Sequence, residues 1–106
     1  MSPRPPADCR DMDDVRAEID RLDIALVDLI AERLTYVDRA WQLKTAPGDA
    51  HVPWRIQQVI DKVKARAIET GLPPELVEAL WRQMIGWFVQ YEEEKLRRQI
   101  EGGGAS

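Results

Sequence analysis

The chain has 106 residues, 44% of them hydrophobic and 32% charged, with a net charge of -4 at neutral pH. That length supports one domain with a small core, and mixed, net acidic charge without a basic stripe argues against the footprint of a nucleic-acid-binding protein. The single cysteine, Cys9, excludes an intramolecular disulfide and a cysteine-based metal cage, and no apolar run approaches the roughly twenty residues that span a bilayer, so a soluble, cytoplasmic protein without membrane contact is expected.

Residues 1–10 are rich in proline and charge, carry no periodicity and read as a flexible N-terminal arm. A first helix is predicted to start within Asp11-Met12-Asp13-Asp14, whose carboxylates suit the free amides and positive dipole end of a first turn. Its apolar stripe is Met12, Val15, Ile19, Leu22, Leu26 and Leu29, in steps of three and four. The next place in that rhythm holds Arg33, after which Tyr36, Ala40 and Leu43 resume it. The helix is predicted to run to about Lys44, which makes it roughly 45 Å long, more than a compact domain of this size can cover by itself. Such a helix calls for a partner, and a second copy of the chain is the simplest one.

Thr45 to Ala50 has turn composition, and Pro53 suits the first turn of a second helix. That helix is marked by Ile56, Val59, Ile60, Val63, Ala67 and Ile68, with Gly71 as its C-terminal cap. Pro73 and Pro74 start a third helix carrying Val77, Leu80, Trp81, Met84, Ile85, Phe88, Tyr91 and Leu96, which fades into a flexible tail over 101–106. No segment alternates with the period of a strand. The predicted class is all-α, three helices in a long-short-long order spanning 11–100.

One His, one Cys and no Ser or Thr beside a base leave no His-containing triad and no multi-histidine zinc site. His51 reads as a loop residue. What stands out is cations on apolar faces. Arg33 and Lys44 lie eleven residues apart, close to three helical turns, so they share a face about 16 Å apart and can lean toward one small anion. Taken by themselves, the residues favour the simpler readings, a structural ion pair for Arg33 and a partner of the helix dipole for Lys44.

The ordered series formed by Val15, Arg16, Ile19, Asp20 and Asp23, then Leu29, Ile30, Arg33, Tyr36, Val37 and Lys44, then Pro53, Arg55, Gly71 and Leu72, and finally Trp81, Met84, Ile85 and Glu92 resembles the all-helical chorismate mutase family. The resemblance covers nearly the whole chain, from about Asp8 to Gln99. The short loop after the first helix, with Tyr36, Val37 and Trp87, is also similar to the branch containing isochorismate-pyruvate lyases.

The resemblance implies a three-helix protomer whose long first helices intertwine in a homodimer with two active sites. It implies rearrangement of a small dicarboxylate, chorismate, to prephenate, with no cofactor, metal or covalent intermediate, toward phenylalanine and tyrosine. Such a reaction asks only for positioning and for donors at the breaking ether bond. Carried over residue by residue, Arg16 and Arg33 hold substrate carboxylates, Lys44 donates to the ether oxygen and a carboxylate, and Arg55 holds the substrate from the start of the second helix. Arg16 and Arg33 are seventeen residues apart, about 25 Å along one helix, so if both serve one site Arg16 comes from the partner chain.

Glu92 stands where many members of that family carry glutamine. It shares a helical face with Trp81, Ile85 and Phe88, and the resemblance favours a neutral carboxyl there that donates to substrate, the alternative being a solvated charge at the head of Glu92-Glu93-Glu94. Ile56 replaces the acidic residue that follows the helix-two arginine in the mutase pattern, a position that helps orient the substrate hydroxyl. Two other readings therefore stand beside the mutase: an isochorismate-pyruvate lyase making salicylate, and a non-catalytic helical interaction module.

Overall fold

The computed structural model describes residues 3–104, all of them in helices, 3₁₀ turns and their connections. Three α-helices follow one another, α1 over Met12–Leu43, α2 over Pro53–Thr70 and α3 over Pro74–Gly104, as the all-α, long-short-long expectation has it. The chain divides into two compact units, Met1–Tyr36 and Val37–Ser106.

In the first unit the start of α1 is fixed by its own acidic residues. Asp11 Oδ1 accepts from the Asp14 amide at 2.8 Å, and Asp14 Oδ2 accepts from the Arg10 amide at 2.9 Å, so two amides at the helix entrance are satisfied reciprocally. The segment read as a flexible arm contains a 3₁₀ turn, Pro6–Asp8, and is tied to this entrance. The Arg4 guanidinium pairs with Asp14, and the Arg4 amide donates to Glu18 Oε1 at 3.0 Å. Met1 and Ser2 lie outside the described residues. No side chain of α1 is buried, and the predicted stripe is open: Ile19, Leu22, Leu26 and Leu29 are each half exposed or more.

In the second unit α2 packs along α3, as does a 3₁₀ turn, Pro47–Ala50, which forms within the segment predicted as a loop. Asp49 organises that turn, its Oδ2 accepting from the amides of Thr45 and Ala46 at 3.3 and 3.1 Å, as a short side chain does when it competes for local amides. The core consists of Ala50, Ile60, Ala67, Val77, Ile85, Phe88 and Leu96. Ile68 and Leu80, predicted among the stripe residues, face outward instead. Ile68 follows buried Ala67, and one helical step turns a side chain by about 100°, away from α3.

Gly71 ends α2 with φ 82°; its amide donates to the Ile68 carbonyl and the Leu72 amide to the Ala67 carbonyl, the paired bonds of a Schellman cap. Lys64 Nζ lies 2.9 Å from Glu78 Oε1 and ties α2 to α3. At the far end α3 continues through Glu101 and three glycines to Gly104, where a flexible tail was expected; 105 and 106 lie outside the described residues. Extending an existing helix adds one hydrogen bond per residue without a new nucleus, which offsets much of the glycine penalty of about 1 kcal/mol each.

Candidate active site

Lys44 is the first residue after α1, its amide donating to the Trp41 carbonyl at 3.3 Å. From there the side chain crosses to α3 and places Nζ 2.6 Å from Glu92 Oε2. The structure thus joins two of the predicted site residues directly. Glu92 is 8% exposed and is the one charged residue that is buried among those described. It lies on the α3 face that buries Ile85, Phe88 and Leu96, so the apolar surroundings predicted from the helical spacing are there. Its carboxylate is engaged by an ammonium, however, and a charge-assisted bond of this length is the compensation a buried carboxylate needs. Lys44 carries three N–H donors, and this contact uses one.

A second connection between the same two helices lies beside the first. Asp38, on the last turns of α1, accepts at Oδ1 from the Tyr91 hydroxyl at 2.6 Å and from the Trp41 indole at 3.0 Å. The Tyr91 hydroxyl, then the indole, hold the Asp38 carboxyl below the ordinary carboxylate range by bonding its charged form. The same bond to Asp38, with burial, pushes the Tyr91 phenol above its ordinary value. The Tyr91 ring stacks on Trp87 with centroids 5.6 Å apart, and Lys95 Nζ lies 5.5 Å from its centre.

The other predicted site residues are described each within its own unit. Arg55 is exposed in the first turn of α2, and its Nη1 donates to Gln58 Oε1 at 2.7 Å on the same helix. Arg16 is exposed on α1 and reaches Asp13 at 3.9 Å. Arg33, at the predicted interruption of the stripe, is half-buried, as are Val15 and Ala40 of the stripe itself. Arg16 and Arg33 belong to the first unit, Lys44, Arg55 and Glu92 to the second. Asp38 and Trp41 escaped the sequence reading. Their (i, i+3) spacing on a helix is visible in the sequence, but the Tyr91 hydroxyl that gives Asp38 its place is 53 residues away.

The fold and the buried cation–carboxylate pair define an all-helical protein whose polar centre sits at the junction of its first and third helices. Residues 15–93 match the chorismate mutase type II family. The isochorismate pyruvate lyase of Pseudomonas aeruginosa is 33% identical over 97 residues, covering 92% of this chain and 95% of that protein. The T-protein of Enterobacter agglomerans is 33% identical over 72 residues, 67% of this chain and 19% of that protein. The chain belongs to the chorismate mutase type II family.

Proposed function

We propose that the chain is a chorismate mutase, rearranging chorismate to prephenate by electrostatic positioning of the dianion, in a homodimer whose sites each take Arg16 from the partner subunit. The contact between Lys44 and Glu92 carries this reading. A lysine held by a buried carboxylate keeps two N–H donors for an anionic ligand, so it can bond a carboxylate and the ether oxygen together as charge moves onto that oxygen. Glu92 fixes where those donors point. Arg33 and the partner's Arg16 supply the bidentate grip on carboxylates, and Arg55 closes the site from α2. The dimer is supported by the open stripe of α1, since half-exposed Ile19, Leu22, Leu26 and Leu29 on one helix need an apolar partner. The rearrangement is internal to the substrate and calls for no cofactor.

A second reading, isochorismate-pyruvate lyase activity giving salicylate and pyruvate, is favoured by the match along nearly the full length of a protein so named. The two readings share Lys44 and the arginines and differ in the ring position of the substrate hydroxyl. Purified protein incubated separately with chorismate and isochorismate decides between them. Prephenate from chorismate supports the mutase, and salicylate from isochorismate alone supports the lyase. Turnover of neither acid removes both and leaves the helical interaction module.

A further inference from the structure

We propose that Asp38 is a positioning residue, which, through Tyr91 and Trp41, holds the end of α1 against α3 so that Lys44 stays seated on Glu92. The inference deepens the proposed function, since Lys44 matters to turnover only if that reading holds, but its structural half stands by itself.

Both contacts run between the same two stretches. On the α1 side the residues are Asp38 and Lys44; on the α3 side they are adjacent, Tyr91 and Glu92. Adjacent residues of a helix point about 100° apart, so the two contacts approach α3 from different directions. One contact fixes a distance between two helices and leaves them free to roll; two that are not collinear fix the roll as well. Lys44 by itself is a poor anchor, because a lysine has four rotatable bonds and its ammonium is a point charge without preferred direction. Tyr91 and Trp41 are stiff aromatic side chains with one polar atom each, and both meet the same carboxylate oxygen.

The link continues along the backbone. The Trp41 carbonyl accepts from the Lys44 amide, so the residue whose indole is held by Asp38 also holds the backbone from which the Lys44 side chain departs. Asp38 has no lysine or arginine within bonding distance among the described residues; its donors are neutral, so it anchors the helix without drawing Lys44 away from Glu92. When a dianion takes up the two remaining Lys44 donors, this second connection keeps the helix end in place.

The test uses the full chain with Tyr91→Phe, Asp38→Ala and Asp38→Asn. Tyr91→Phe keeps the stacked ring and removes one hydroxyl, so it folds if the ring packing is what the fold needs. Two readouts are taken: steady-state kinetics on chorismate and isochorismate, and the position and width of the Lys44 Nζ resonance by NMR. Tyr91→Phe and Asp38→Ala are expected to lower kcat by about tenfold with KM little changed, the signature of a misplaced catalytic group. They should also shift or broaden the Lys44 resonance. Asp38→Asn, which offers one oxygen to both donors, should recover most of the loss. A wild-type kcat in Tyr91→Phe, or a loss confined to KM, overturns the proposal, as does an unchanged Lys44 resonance. If the unaltered protein turns over neither acid, the proposed function fails, and the Lys44 resonance alone decides whether Asp38 and Tyr91 hold that side chain.

Discussion

Glu92 is a carboxylate in a place that α3 otherwise reserves for hydrophobes, and Lys44 is what makes its burial tolerable. Removing the lysine alone leaves a buried charge without compensation, whereas removing both leaves an apolar gap. Lys44→Met is therefore expected to lower unfolding stability by about 3 kcal/mol, and Lys44→Met combined with Glu92→Leu to restore much of that, read from urea midpoints. The Asp38 carboxyl titrates below its ordinary value because the Tyr91 hydroxyl and the Trp41 indole bond its ionised form. Its contribution to stability is then fully present above the ordinary carboxylate range and is lost as pH falls through the lowered value. In Tyr91→Phe the Asp38 titration, followed by carboxyl-carbon NMR, should move back up, and acid unfolding should begin at a higher pH. Lys44 and Glu92 stand out in the sequence as candidates, from helical spacing and family resemblance. Their direct bond was not, because no periodicity reports which of two distant charged side chains meet. Asp38 was illegible for a stronger reason: among Asp13, Asp14, Asp20, Asp23 and Asp28 on the same helix, nothing local distinguishes it.

The helices begin, and α2 ends, where local chemistry says they should. The α1 entrance lies at the acidic cluster, Pro53 and Pro74 open α2 and α3, and Gly71 closes α2. Each of these signals acts over a few residues, which is why the sequence carried them. Only glycine adopts the φ of 82° at Gly71 without steric conflict, and no atom crowds the place where a Cβ would sit. Gly71→Ala is thus a test of backbone conformation alone, with an expected loss of about 1 kcal/mol in urea unfolding. The turn Pro47–Ala50 was partly legible, through Pro47 and Asp49, but its seat on α3 depends on Ala50 being buried there, a long-range fact. The same holds for Ile68 and Leu80. Helical periodicity identifies an apolar sector wider than the one α2 and α3 actually share.

At the scale of the whole molecule, α1 carries two of the three arginines of the proposed site, and its rise keeps Arg16 and Arg33 about 25 Å apart. On the dimer proposed above, each site then draws on two chains. Equal amounts of Arg16→Ala and Lys44→Ala subunits, unfolded together and refolded, should regain about a quarter of wild-type turnover, since half of the dimers are mixed and each mixed dimer holds one intact site. Two separately inactive homodimers that stay inactive after mixing count against shared sites. The half-exposed stripe of α1 has a further consequence. If that face is completed by a second chain, as in the proposed dimer, folding becomes a second-order event, and the urea midpoint should climb with protein concentration by mass action. Dilution then acts as a denaturant. Below the dissociation constant of the pair, activity per mole should fall away even though no covalent bond and no residue of the chain has changed.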